Sequence, residues 1–226
     1  AQLEGSKAFA KRFMQKYRIP TATYQSFSDP HSAKEFLKNS VYPMVIKADG
    51  LAAGKGVFIV NNFAMAEKSV DDIMTNQKFG SAGATIIIEE FLEGQETSFI
   101  AMVDGINILP LATSQDHKAI GNGDVGLNTG GMGAYSPASF VDDKLQEKIM
   151  DEIMLPTLHG MANEGMPYRG FLYAGLMISD QNEPKVLEFN CRFGDPETQP
   201  IMMRLSSDLV ELIQACFNGT IESFPI

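Results

Sequence analysis

A glycine-rich stretch carrying two lysines runs from Ile46 to Val57 and reads IKADGLAAGKGV. Small residues let a backbone approach an anion closely, and successive N–H groups can then point at phosphate oxygens. Lys55 adds a mobile positive charge, and Lys47 closes the apolar run that precedes the loop. The pattern is not the P-loop of nucleotide hydrolases. Gly50 to Gly54 is one residue too short, and Gly56 stands where Ser or Thr would hold magnesium. A P-loop also opens a helix, whereas this loop runs into a β-branched segment, Val57–Val60. A flap between antiparallel strands is the better expectation, with Gly54, Lys55 and Gly56 at its tip and Lys47 beneath it. A second constellation lies in Val186-Leu187-Glu188-Phe189-Asn190. Residues i and i+2 share one face of a strand, so Glu188 and Asn190 project together while Leu187 and Phe189 face the other way. A carboxylate beside an amide oxygen suits Mg²⁺, and Mn²⁺ takes the same hard ligands. Zinc would ask for His or Cys. Arg192 reaches the same face if the strand continues, where it would suit a transferring phosphoryl group. The loop that follows, FGDPETQP from Phe193 to Pro200, adds the acids Asp195 and Glu197.

The elements that must position these groups can be read from periodicity and punctuation. Ser6 is a plausible N-cap for a helix that ends near Arg18, before Pro20. Strands are expected at Val41–Lys47, Val57–Val60 and Thr85–Glu89, with a helix over Asn62–Thr75. Glu96–Val103 and Ile106–Leu109 read as a hairpin turned at Asp104-Gly105. Ala112 to Pro137 is a long Gly-, Asn- and Asp-rich loop, and loops of that length in compact domains are commonly functional. It contains GNGDVG at Gly121–Gly126, which matches the dinucleotide fingerprint in letters only. No helix can open at the Asn128–Gly133 segment behind it. Asp142–Glu164 has a helical pattern disturbed at Pro156. Phe171–Ile178 and Lys185–Asn190 form a second hairpin, and Ser207–Phe217 a closing helix with Gly219 past its end. Hairpins alternating with helices give an α+β class with antiparallel sheets.

The 226 residues are acidic, with a net charge of -10, and 44% are apolar. That balance disfavours a nucleic-acid or anionic-membrane partner. Cys191 and Cys216 are the two cysteines, without zinc spacing, and read as reduced core thiols of a cytoplasmic protein. His31 and His159 carry no signal.

Together, the segments Val45–Val57, EEFLEGQE at Glu89–Glu96, Ser114-Gln115-Asp116-His117-Lys118 through Gly133, and Leu187–Pro200 resemble the ATP-grasp superfamily. Within it they resemble the phosphoribosylamine–glycine ligase (glycinamide ribonucleotide synthetase) family. The resemblance implies an ATP-grasp fold, two lobes with antiparallel sheets clasping ATP. It implies a start of the larger lobe at residues 1–20, a small lid lobe at 21–89, and the larger lobe with metal and substrate sites at 90–226. The implied reaction joins glycine to 5-phospho-D-ribosylamine through a glycyl phosphate, in purine biosynthesis. By resemblance, Lys7, Lys47 and Lys55 meet the ATP phosphates under the flap with Gly54 and Gly56. Glu90, Phe91 and Leu92 read adenine by their backbone, Glu89 or Glu90 accepts from its amine, and Glu96 binds the ribose. Glu188 and Asn190 hold Mg²⁺, with no acid on the neighbouring strand, Tyr173–Met177. Arg192 and Lys47 serve phosphoryl transfer. Asp116, Lys118, Asp124, Asn128, Gly131 and Asp195 line the glycine and ribosylamine site, with His117 a positioning group. Members of the family are longer, so the chain is expected to be a central portion without its flanking domains, inactive as a ligase alone. Another ATP-grasp carboxylate–amine ligase and a non-catalytic ATP-binding module are the alternatives.

Overall fold

The structure, a computed structural model, describes residues 2–52, 55–121, 125–129 and 131–224, with the backbone alone at 119 and 125–128. The chain divides into two compact units, Ala1–Arg12 with Thr21–Leu92, and Phe13–Pro20 with Glu93–Ile226. Among the described residues no helix is long and apolar enough to cross a membrane.

The first unit begins with a short helix, α1 (Gln2–Gly5), and with the first half of α2 (Lys7–Tyr17). Ser6 caps α2 as its sequence predicts, its hydroxyl accepting from Phe9 N at 3.1 Å. Four strands follow, β1 (Tyr24–Phe27), β2 (Met44–Ala48), β3 (Val57–Val60) and β4 (Ile86–Glu90), interspersed with α3 (Pro30–Lys38) and α4 (Phe63–Val70). The sheet order is β1-β4-β2-β3, all antiparallel. β1 and α3 are elements the sequence signals left unread, although Asp29 caps α3 and Pro30 opens it. The period of two sorts each strand. Ile46, Ile86 and Ile88 pack with Ala33, Leu37, Ala66, Val70 and Ile73 of the helical layer. Full burial of the Ile, Leu and Val side chains among them contributes about 1.5–3 kcal/mol each. The opposite sheet face carries Val45, Lys47, Ile87 and Glu89.

In the second unit, β5 (Gln95–Asp104) and β6 (Ile108–Pro110) form the expected hairpin. The Asp104 carboxylate accepts from the N–H groups of Ile106 and Asn107, at 3.0 and 2.7 Å, and so holds the turn. The long loop is more ordered than its composition suggests. β7 (Gln115–Asp116) pairs with β10 (Ala134–Tyr135), and β8 (Ala119–Gly121) with β9 (Val125–Asn128). α5 (Asp143–Ile149) passes through a π-helical turn, Met150–Met154, into α6 (Leu155–Asn163). The wider turn just ahead of Pro156 is where the helical pattern is disturbed, and it accommodates the ring without ending the helix. β11 (Arg169–Ile178) and β12 (Pro184–Asn190) complete a sheet of order β12-β11-β5-β6. α7 (Thr198–Met202) and α8 (Leu209–Asn218) close the unit, with Gly219 left-handed at φ 73° behind α8.

One face of this sheet explains the site. Cross-strand register places Glu96, Ser98, Ile100 and Met102 of β5 beside Met177, Gly175, Tyr173 and Phe171 of β11. The Ile100–Met102 end is apolar and lies in clusters with Ile201, Leu205 and Leu212 from the α7–α8 region. The other end is polar.

Candidate functional site

Each unit carries a group of polar side chains too buried to be accidental. In the first unit, Lys47 at the end of β2 forms an ion pair with Glu89 of β4. Glu89 is only 2% exposed. Its second oxygen, Oε2, lies 2.5 Å from Lys11 Nζ of α2, an ion pair without hydrogen-bond alignment. Lys11 also donates to Thr21 Oγ1 at 2.8 Å. Burial pushes the Glu89 carboxyl up, and the ammonium groups of Lys47 and Lys11 more than reverse this, leaving it below the usual range. Lys11 is lowered, chiefly by burial, with Lys47 adding to the effect and Glu89 opposing it. Two lysines therefore share one carboxylate on a single sheet face. Glu90 points to the other face, accepts from Thr23 N at 3.0 Å, and lines a cleft of about 520 Å³ with Tyr24, Phe36, Met44 and Ile88. The sequence left Glu89 and Glu90 as equals; strand alternation separates them.

The glycine loop joins β2 to β3 as an antiparallel hairpin, with Ala48 N donating to Gly56 O at 2.8 Å. Its entrance is tied to the start of α2. Asp49 accepts from Ala8 N at 2.6 Å and from Ser6 Oγ at 2.9 Å, a carboxylate placed where a helix N-terminus favours negative charge. Lys7 Nζ donates to Gly50 O at 3.3 Å. Lys55 is exposed, Phe91 and Leu92 are half-buried just past β4, and Gly54 lies outside the described residues.

In the second unit, Glu188 and Asn190 share a sheet face, opposite Gly175 and Tyr173 respectively. The alternation around them differs from the expectation. A β-bulge inserts Leu187, so Val186 and Phe189 are the buried pair on the far face and Leu187 is the extra residue. Gly175 makes the space in front of Glu188. A Cβ there would lie 3.3 Å from the Tyr173 ring and 3.4 Å from Glu188 Cγ. The strand stops at Asn190, and the exposed Arg192 donates to Phe193 O at 2.8 Å.

Around this pair the loops bring further groups. Lys118 Nζ donates to Glu96 Oε2 at 2.9 Å. Burial disfavours its charge, yet Glu96 first, then Tyr173 and Glu188, hold the ammonium above its ordinary value. Glu197, 2% exposed, accepts at Oε1 from Ser98 Oγ at 2.7 Å and from Tyr173 OH at 3.0 Å. Burial raises the Tyr173 hydroxyl, so it remains a donor. Asp116 Oδ1 is buried with no hydrogen-bond partner. Its carboxyl is pushed up to about 6 by burial and by the charge of Glu197, with Lys118 opposing. Gly131, at φ 123°, passes Asp116 and the ring of Pro196 so closely that a Cβ would sit 2.5 Å from Pro196 Cδ. His117 is fixed by its backbone, accepting from Met132 N and donating to Gly133 O. Asp195 is exposed, the Asn128 side chain is not described, and Asp124 lies outside the described residues.

Lys11, Asp49, Ser98 and Tyr173 are the groups that sequence reasoning missed, and the sequence marks Glu197 only as an acid of its loop. A signal existed for two of them. Lys11 is four residues from Lys7 on one helix face, and Ser98 is two from Glu96 on one strand face. Among the described residues no group of three or more His, Cys, Asp or Glu is placed to hold a metal ion.

The family described as phosphoribosylglycinamide synthetase, ATP-grasp (A) domain, matches residues 5–198. The chain belongs to this family. The ATP-grasp domain is 59% identical over 220 residues to the phosphoribosylamine–glycine ligase of Yersinia pestis, covering 97% of this chain and 51% of that protein. The Pseudomonas aeruginosa ligase is 59% identical over 215 residues, covering 95% and 50%. The chain thus spans about half the length of the curated relatives it matches. The solved phosphoribosylamine–glycine ligase of Thermotoga maritima superposes with a TM-score of 0.89 at 40% identity, over 97% of this chain and 55% of that one. The biotin carboxylase of Campylobacter jejuni superposes with a TM-score of 0.73 at 18% identity, over 99% and 47%, which shows a shared fold.

Proposed function

We propose that this domain is the ATP-grasp part of a phosphoribosylamine–glycine ligase, supplying the nucleotide site and most of the site for ligation of glycine to 5-phospho-D-ribosylamine. The observation that carries the reading is the 59% identity to such ligases across 97% of the chain. In this reading the carboxylate of glycine takes the terminal phosphoryl group of ATP, giving ADP and a glycyl phosphate. The ribosylamine nitrogen then attacks the acyl carbon, phosphate leaves, and the amine gives up a proton. Such chemistry depends on positioning and charge neutralisation more than on covalent catalysis.

Lys47 and Lys7, with Lys55 and Gly56 of the hairpin, would meet the phosphates. The backbone of Glu90, Phe91 and Leu92 would meet adenine, and Glu96 the ribose. Glu188 and Asn190 fit Mg²⁺: they offer one carboxylate and one amide oxygen over the space that Gly175 leaves. Mn²⁺ suits the same donors. When bound, the ion would neutralise phosphate charge. Arg192 is suited to the phosphoryl group in transfer. Asp116, Lys118, Gly131 and Asp195 would line the small-substrate site, where the unpaired Asp116 oxygen suits a substrate ammonium. The lid role of the first unit, the contribution of flanking domains and a cytoplasmic location belong to the same reading.

Calorimetry of the folded chain with millimolar Mg-ATP is expected to show binding, and Glu188→Ala to weaken it while leaving the unfolding midpoint within a few degrees. A silent wild type, or an alanine variant that binds Mg-ATP as tightly, would remove the nucleotide and metal assignments respectively.

A further inference from the structure

The nucleotide reading uses Lys47 but gives no task to Lys11, a lysine 3% exposed in the same cluster. Three observations define that task. Lys11 and Lys47 contact different oxygens of Glu89, Oε2 and Oε1. Lys11 is held by further groups: Thr21 Oγ1 at 2.8 Å and Ala22 O at 3.4 Å accept from it, and the Tyr24 ring lies 5.7 Å from its ammonium. Lys47 stands at the last turn of register before the glycine hairpin, paired across the sheet with Val57.

A buried carboxylate with one cation would hold that cation tightly, because releasing it leaves an uncompensated charge in a low-dielectric site. Here each oxygen has its own lysine. We propose that Lys11 is a positioning residue that keeps Glu89 neutralised, so that Lys47 can turn from Glu89 to a bound triphosphate without stranding the carboxylate. Glu89 then acts as the anchor of two lysines rather than as a reader of adenine. The charged groups around the exchange are Lys11, Lys47, Glu89 and, at longer range, Glu90, whose carboxylate is committed to Thr23 N. The inference rests on the proposal that this sheet face binds nucleotide.

The test is a set of Mg-ATP dissociation constants measured by calorimetry, each beside a thermal unfolding curve. Lys11→Met leaves Glu89 to Lys47 alone, and binding is expected to weaken about tenfold or more, the factor that one pKa unit of differential charge stabilisation represents. Adding Glu89→Gln to that variant removes the carboxylate charge that holds Lys47 and is expected to restore affinity to within about threefold of wild type. A purely structural role for Lys11 predicts no such recovery. Lys11→Arg keeps the charge and is expected to bind within about threefold of wild type, which covers the case of a methionine variant that does not fold. Wild-type affinity in a folded Lys11→Met chain, loss without recovery in the folded double variant, or loss of affinity in a folded Lys11→Arg chain would overturn the inference alone. A silent wild type would overturn the nucleotide reading and the inference with it.

Discussion

Replacing Asp116 by Asn should stabilise the protein while impairing its site. The carboxyl titrates at about 6 in the folded chain, against an ordinary 3.8. Burial comes first among the causes, then the negative charge of Glu197, with Glu96 adding and Lys118 and His117 opposing. The folded state therefore keeps its proton across a window, from about pH 4 to about pH 6, in which the unfolded chain has lost it. Stability from this group is greatest below the window and falls as pH rises through it, remaining low at neutral pH. The full gap corresponds to about 3 kcal/mol at 1.36 kcal/mol per pKa unit. Asp116 is only partly buried, and solvent screening reduces that to about 1–2 kcal/mol. Asn carries no charge to desolvate. In urea titrations at matched ionic strength, Asp116→Asn is expected to exceed wild type by about 1–2 kcal/mol near neutral pH, and to converge with it near pH 4. Taking the difference between the two chains removes the titration of carboxylates that do not interact with Asp116. An Asn variant less stable than wild type at neutral pH, or a difference that does not change with pH, would contradict a raised Asp116 carboxyl. The cost of keeping an aspartate here is what a binding group for a substrate cation would impose.

Two further outcomes test the same region. Glu197→Gln retains an acceptor for Ser98 and Tyr173 but removes the charge beside Asp116, so carbon-detected NMR should show the Asp116 carboxyl titrating below its wild-type value while burial still keeps it raised; an unchanged titration would discount Glu197 as a cause. Gly131→Ala must place a Cβ 2.5 Å from Pro196 Cδ at a left-handed φ of 123°. It is expected to lower stability by about 1–3 kcal/mol in the same urea assay, and a neutral effect would show that the Gly131–Pro196 approach is not tight.

Much of the local architecture was legible without coordinates. Ser6 as a cap, the Asp104-Gly105 turn, Gly219 behind the last helix and the shared face of Glu188 and Asn190 follow from steric limits and short-range hydrogen bonds, which a few adjacent residues determine. The departures have the same kind of cause. Leu187 entered a bulge because the buried positions opposite Leu176 and Ala174 are filled by Val186 and Phe189, a constraint set by the neighbouring strand. The disturbance expected at Pro156 takes the form of a π-turn ahead of it, a form that no residue type announces.

The site divides along the same line. Residue types and spacing marked Lys47, Glu188, Asn190 and the acid-bearing loops as chemistry, since charge and strand periodicity are written in the chain. They could not show that Glu89 is claimed by Lys11 and Lys47, or that Ser98 and Glu197, 99 residues apart, bond directly with Tyr173 joined to both. Nor could they show that Asp116 would be left with a buried, unpaired oxygen. Partnership and desolvation depend on which strands lie side by side and which loop closes over them. Packing of the whole chain settles both, and they in turn govern how each charged group behaves.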